Sequence, residues 1–411
     1  MIRFRTYLKE AAGKNLHMTH AEDAVIDGGV AGTRNVINYF RALRDMLAGN
    51  ANAPVAVTVK WDGAPAIFAG IDPSDGEFFI AKKGVFNKNP KIYKTSAEID
   101  NDLSGDLNAK FKVALSELSK LGIKEGVIQG DFLYSKDDLK TETIDGESYI
   151  TFHPNTIVYA VPANSKLGKT ISKSKIGVVW HTTYRGSSFD SMSASFGKAI
   201  APGLIKVNSV WSVDALFDDR SGSATMTSAE TTEITSILSQ AGKLFQTIKK
   251  ETLDGLAQPE LNIRVNTFIN SKVREGKRIG NTSKFVKDLV KYINAYYQKE
   301  MDKRSTEKGK KTQKDKVNSV LAYFENNKTS EIQKVFDMYN LLVDAKLIFV
   351  KKLNQVEGLK TLLRTSNGYE VTGQEGFVAI DTLKGGALKL VDRLQFSKAN
   401  FSPEFIKGWQ K

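Results

Sequence analysis

Short β-branched runs dominate residues 51–211, helical patterns fill residues 212–365, and only two strand-like runs follow. Those last runs are Gly376-Phe377-Val378-Ala379-Ile380 and Ala387-Leu388-Lys389-Leu390-Val391. Two strands are too few to make a domain of their own, so they must rejoin the earlier sheet. The expected fold class is therefore α+β: a mixed or antiparallel sheet core in two parts, residues 51–211 and 366–411, interrupted by a large helical insertion at 212–365. Residues 1–50 form an N-terminal helical segment, with Val36, Ile37, Phe40, Leu43 and Leu47 at helical spacing before Gly49-Asn50.

Within the first part, strand runs are expected at 55–59, 66–69, 77–81, 126–133, 149–160 and 176–184. One helix interrupts them near Leu107–Leu121, with Phe111, Leu115 and Leu118 on one face. In the insertion, Thr227-Ser228-Ala229-Glu230 is a capping sequence for a helix carrying Ile234, Ile237, Leu238 and Leu244. Further helical patterns run through Phe285-Leu289-Ile293, Val317-Val320-Leu321-Phe324 and Ile332–Leu353. The lysine-rich stretch at 304–316 reads as a mobile loop.

Composition narrows the chemistry. The chain has no cysteine, which excludes disulfides, thiolate zinc sites and cysteine nucleophiles together, and its four histidines are scattered. Any metal is then oxygen-bound, as Mg²⁺ or Mn²⁺ is. No apolar run reaches the roughly 20 residues needed to span a bilayer. Met1-Ile2-Arg3-Phe4-Arg5 lacks the apolar core of a signal peptide. A cytoplasmic protein with no membrane partner is expected, and a monomer.

The formal net charge is +13, which suits a polyanionic partner. Residues 272–316 hold fifteen Lys or Arg against six acids, a surplus of nine, with Tyr292, Tyr296 and Tyr297 interleaved. Basic and stacking residues together build many nucleic-acid surfaces. Lys277, Arg278, Lys284, Lys287 and Lys291 are the candidate nucleic-acid contacts; a solvated helix face over core tyrosines is the alternative.

The chemistry centres on Lys60-Trp61-Asp62-Gly63, a turn between two apolar strands. A lysine at a strand end is aimed by the sheet, and it becomes a nucleophile once desolvation or nearby positive charge lowers its pKa. Taken alone, it reads more simply as a solvated turn lysine.

Lys60-x-Asp62-Gly63 resembles the nucleophile motif of the covalent nucleotidyltransferase superfamily, which contains ATP-dependent DNA ligases, RNA ligases and mRNA capping enzymes. Five further segments resemble its later motifs, in the same order. Ala81-Lys82-Lys83-Gly84 is similar to the second motif, with Lys82 in place of arginine. Val127-Ile128-Gln129-Gly130-Asp131 resembles the strand that ends in a ribose- and metal-associated carboxylate. Val178-Val179-Trp180-His181 resembles the segment that stacks an aromatic on the base, with Trp180 as the stacker and Tyr159 as the alternative. Glu375-Gly376-Phe377-Val378 looks like the metal-binding Glu-Gly-hydrophobic-Val motif. Leu388-Lys389-Leu390-Val391 resembles the final Lys-x-Lys motif, except that Val391 stands where the second lysine is expected; Arg393 or Lys398 is the candidate replacement.

The resemblance spans roughly residues 55–190 and 370–395. It implies an ATP-grasp-like ligase adenylation domain and a polynucleotide ligase working through lysyl-AMP at Lys60. Val59, Asp62, Gly63, Lys82, Asp131, Trp180 and Lys389 would contact the nucleotide. Glu375 and Asp131 would hold Mg²⁺ or Mn²⁺, with ATP and nucleic-acid ends as partners. About 20 residues follow Lys389, too few for the oligonucleotide-binding barrel of capping enzymes and most DNA ligases, which leans toward an RNA-ligase-like enzyme. The alternatives are a non-catalytic nucleic-acid-binding protein on a degenerate core, motivated by Val391, and a guanylyltransferase.

Overall fold

The computed structural model describes residues 18–49, 55–216, 225–355, 360–381 and 387–408. Residues 1–17 and Asn50 of the expected N-terminal segment lie outside the described residues. Helix α1 (Ala24–Leu47) is kinked at Gly29, which takes φ 53°. There a Cβ would fall 2.5 Å from Asp254 Oδ1, so glycine is required both by conformation and by space.

After α1 come β1 (Val55–Lys60), β2 (Ala66–Ile71), β3 (Phe78–Ala81) and β4 (Ile92–Tyr93), then α2 (Ser96–Asp102) and α3 (Gly105–Leu118). Next are β5 (Val127–Ser135), β6 (Lys140–Ile144), β7 (Glu147–Phe152), β8 (Ile157–Pro162), α4 (Lys166–Lys173), β9 (Ile176–Arg185), β10 (Ser193–Phe196) and β11 (Val210–Asp214). The helical stretch comprises α5 (Ser228–Thr247), α6 (Lys250–Leu256), α7 (Pro259–Arg274), α8 (Thr282–Asp302), α9 (Glu307–Asn326) and α10 (Thr329–Leu353). It is followed by β12 (Lys360–Thr365), β13 (Gly368–Val371), β14 (Gly376–Asp381), β15 (Ala387–Leu390) and α11 (Arg393–Phe401).

The strands form three sheets, antiparallel except where β11 runs parallel to β9. The largest has the order β10-β9-β5-β2-β3-β4, a second β13-β12-β8-β7-β6, and the third β1-β14-β15. The late strands do return to the early ones, and they do so in two places: β14 pairs with β1, and β12 pairs with β8. The molecule is a mixed α+β protein of largely antiparallel sheets.

Three apolar layers hold these elements. Helix α3 places Phe111, Ala114 and Leu118 against Ile128, Phe132, Val178 and Trp180 on one face of the large sheet. On the opposite face, Leu133, Tyr134 and Val179 pack against Phe152, Ile157 and Tyr159 of the second sheet. The helices α1 and α5–α10 share one core, which also takes Val55, Val57, Phe377, Ala379 and Leu390 from the third sheet. Every strand-facing residue in that set is an alternate position of β1, β14 or β15, as a one-sided sheet requires.

Two local expectations are corrected. Residues 304–316 are not a loop: α9 starts at Glu307, where the Thr306 side chain accepts from the Gly309 N–H. Lysine, glutamine and glutamate are good helix formers, so a polar stretch with a cap becomes an exposed helix rather than a loop. The hairpin β12–β13 was unforeseen, because Lys360-Thr361-Leu362-Leu363 offers only a short apolar run, with Leu362 and Leu363 buried against other elements. The Thr227 to Glu230 capping box is present as read, with Glu230 N–H donating to Thr227 Oγ1 at 3.2 Å.

Candidate active site

Lys60 is the last residue of β1, and its register partner on β14 is Gly376. Glu375, immediately before β14, therefore comes to the lysine, and its Oε2 forms an ion pair with Lys60 Nζ. The Glu375 side chain is 9% exposed, against 28% for Lys60. Across the same sheet, Lys389 of β15 pairs with Val378, which pairs in turn with Thr58 of β1. Partners in an antiparallel ladder share a face, so Thr58, Lys60 and Lys389 lie opposite the helix-facing positions Val57 and Phe377.

The turn after Lys60 is tied down strongly. Asp62 Oδ2 accepts the N–H groups of Thr156 (2.6 Å) and Ile157 (2.7 Å), and Oδ1 accepts from Asn155 Nδ2 (2.6 Å). The Asp62 N–H donates to Tyr159 Oη at 2.7 Å. Hydrogen bonds to a carboxylate are worth about 1.5–3 kcal/mol each, so Asp62 anchors the lysine turn to the β7–β8 connection. Its oxygens are thereby engaged within the protein. Gly63 permits the approach to β5: a Cβ there would lie 2.5 Å from the Asp131 Cβ and 3.0 Å from the Phe132 carbonyl.

Asp131 enters from β5, with its side chain 22% exposed. Burial pushes its carboxyl up to about 7, with Lys60 and Lys83 pulling down and Asp62 pushing further up. Glu375 is likewise pushed up to about 7, by burial first, against Lys60, with Asp62 and Asp131 adding to the rise. Two carboxylates thus share one cleft, and the Asp131 charge disfavours ionisation of Glu375. Lys389 is held below the usual lysine range by burial and then by Lys60. It makes no ion pair among the described residues.

The structure brings Lys60, Asp62, Gly63, Asp131, Glu375 and Lys389 together, and Val59 adjoins them with its N–H donating to the Ala215 carbonyl at 2.7 Å. Trp180 does not join them. It is 1% exposed in the layer under α3, with Nε1 donating to Ser212 Oγ at 2.6 Å. Strand parity explains this: Asp131 pairs with Val179, so Val179 and His181 take the cleft face and Trp180 the opposite one. Tyr159 is buried too, its ring packed against Trp61 at a centroid distance of 5.0 Å.

His181 was missed. Its Nε2 lies 4.0 Å from Asp131 Oδ2, and burial followed by Lys60 lowers it to about 4, so it is neutral near pH 7. Counting alternate positions from Asp131 across to β9 would have found it. Lys82 also gives way to its neighbour. Lys82 Nζ sits 3.5 Å from Asp102 Oδ2, whereas it is the Lys83 charge that acts on Asp131. Val391 is 2% exposed and packs beside Gly376, so no cation stands there. Of the two replacements, Arg393 donates to Asp23 Oδ1 at 2.8 Å and Asn270 Oδ1 at 2.5 Å, and Lys398 lies over the Phe405 ring at 5.4 Å.

Among the surface candidates, Lys277 pairs with Glu275 (3.1 Å), Arg278 with Asp344 (2.5 Å) and Lys284 with Asp288. Lys284, Lys287 and Lys291 lie on α8, with Lys287 and Lys291 exposed or nearly so. No group of three or more His, Cys, Asp or Glu side chains is arranged to hold a metal ion among the described residues, and no helix among them is long and apolar enough to cross a membrane.

An α+β protein with a lysine and two recessed carboxylates at the junction of its chain halves is what fold and site define. The chain belongs to the family of unknown function DUF6267, whose model matches residues 15–404. No curated protein and no solved structure matches it.

Proposed function

We propose that this protein is an ATP-dependent polynucleotide ligase, with an RNA-ligase-like enzyme slightly favoured over a DNA ligase, built on a nucleotidyltransferase core. The observation that carries the reading is the Lys60–Glu375 contact, with Asp131 and Lys389 beside it, because nucleophile, acids and phosphate-facing lysine come from both chain halves. In the proposed reaction the Lys60 amine attacks the α-phosphorus of ATP. The N–P bond forms, the bond between the α-phosphorus and the bridging oxygen breaks, and pyrophosphate leaves with that oxygen. AMP then passes to a 5′-phosphate end, and a 3′-hydroxyl displaces it to seal the strand.

Glu375 and Asp131 fit an oxygen-bound divalent cation, since two carboxylates held near 7 in one cleft gain most from a positive partner. Bound there, Mg²⁺ or Mn²⁺ supplies charge neutralisation for the phosphates. Lys389, half-buried and without an ion pair among the described residues, would meet the α-phosphate. His181, neutral and beside Asp131, would offer the nucleotide its Nε2 as a hydrogen-bond partner.

Incubation with α-labelled ATP and Mg²⁺ tests this. A labelled protein band that disappears in Lys60→Ala supports the ligase; label from GTP in place of ATP supports a guanylyltransferase. No label with intact nucleic-acid binding supports a non-catalytic binding protein, a reading favoured by the apolar Val391 position.

A further inference from the structure

Between α7, α10 and the start of α11 lies a cavity of about 110 Å³. One wall is Ile269 and Val273 of α7, the other Val343 and Leu347 of α10. Glu22 also lines it. This residue is fully buried, and its Oε1 accepts from Lys346 Nζ at 2.6 Å, with Arg393 Nη1 at 3.5 Å. Its Oε2 has no hydrogen-bond partner among the described residues. Against the upward push of burial, Lys346, His20 and Arg393 hold this carboxyl down to about 2. A charged acceptor is thus buried with half its capacity unused, an arrangement that costs stability unless a donor arrives.

Lys272, Lys277 and Arg278 line the same cavity, with side chains 30, 67 and 41% exposed. Their acidic partners are Glu275, shared by both lysines, and Asp344, so three cations face two acids. Deeper in, Lys346 and Arg393 offset Glu22 and Asp23, and Asp392 accepts the Leu394 and Gln395 N–H groups. A matching ligand has a flat or apolar body for the aliphatic walls, an N–H or O–H donor for Glu22 and an anion for the cationic rim. A nucleotide of a polynucleotide strand has all three. Arg393 lies four residues after Lys389, so the cavity begins within about 14 Å of the reaction centre along the chain.

We propose that this cavity seats a nucleotide of the strand being sealed, its base between α7 and α10 and its backbone phosphate on Lys277 and Arg278. This rests on the polynucleotide-ligase reading. The test is photo-crosslinking of the full chain to a 5′-phosphorylated tetranucleotide carrying 4-thiouridine, with the attached peptide identified by mass spectrometry. Crosslinks within 269–279 or 339–347 are expected, and crosslinks confined elsewhere overturn the proposal. Leu347→Trp, which fills the cavity and leaves every charge in place, is expected to weaken tetranucleotide binding about tenfold, as loss of one base-stacking contact does. Unchanged affinity overturns the proposal. Adenylylation of Lys60, measured separately in the wild-type chain, tells the two failures apart: crosslinking in the cavity without adenylylation sinks the ligase reading and keeps the nucleotide site.

Discussion

Lys60 and Glu375 stand at adjoining ends of a single strand pair, one closing β1 and the other opening β14, and their side chains meet in the cleft. An amine held against a carboxylate is a poor nucleophile, so whatever draws Glu375 away also frees Lys60. Glu375→Gln is expected to lower self-adenylylation at least 100-fold, because the cation that neutralises the phosphates loses a ligand. Labelled-ATP incorporation at saturating Mg²⁺ measures it, and near-wild-type labelling would remove Glu375 from the metal role.

Asp131 gives the pH dependence. Its folded carboxyl is raised to about 7 from 3.8, so the folded state binds the extra proton between those values. The contribution of Asp131 to stability therefore falls as pH rises from about 4 to 7 in the absence of a divalent cation. Asp131→Asn is expected to be more stable than the wild type at pH 8, by on the order of 1–2 kcal/mol, and no more stable at pH 4, while losing activity. Urea unfolding at the two pH values decides it.

Gly63→Ala places a methyl group against Asp131 Cβ and the Phe132 carbonyl, one of them backbone that cannot step aside. A cost of about 1–3 kcal/mol is expected, with displacement of the Lys60 turn. Adenylylation should fall more than tenfold even at temperatures where circular dichroism shows a folded chain. A fully active variant would mean that the turn need not approach β5 so closely.

Trp180→Ala and His181→Ala separate the two faces of β9. The tryptophan is core, and its loss should cost about 3–5 kcal/mol. The histidine faces the cleft, so its loss should raise the ATP concentration needed for half-maximal labelling and leave the melting temperature within a few degrees. The reverse pattern would mean the strand parity is wrong.

On α8, Lys284→Ala, Lys287→Ala and Lys291→Ala combined should weaken oligonucleotide binding and reduce its salt slope by about 2, if all three contact phosphates. Self-adenylylation should stay nearly intact. Equal loss of both activities would make α8 structural.

Much of the site was legible because its residues stand at strand ends, where alternation and turn chemistry leave local marks: Lys60 before Asp62-Gly63, and Glu375 before Gly376. Long-range pairing left no such mark. The bonds from Thr156 and Ile157 to Asp62 turn an expected nucleotide contact into an anchor, and no local pattern announces them. Trp180 and His181 were separable only by following β5 across to β9, and a bulge between Gln129 and Gly130 shifts that register. Long-range pairing likewise shapes the basic stretch: exposed Arg278 meets Asp344, a residue of α10 that sequence spacing does not place nearby. The polar start of α9 was misread because charge density alone does not distinguish a solvated helix from a loop; the Thr306 cap does.

The third sheet joins β1 to β14 and β15 across the whole helical stretch. During synthesis Lys60 is made well before Glu375 and Lys389, with the whole helical stretch between them. The cleft therefore cannot exist on a nascent or C-terminally truncated chain. Synthesis through β15 is the step that brings Glu375 and Lys389 to Lys60, and a fragment ending within α10 should fold its large sheet yet lack this cleft.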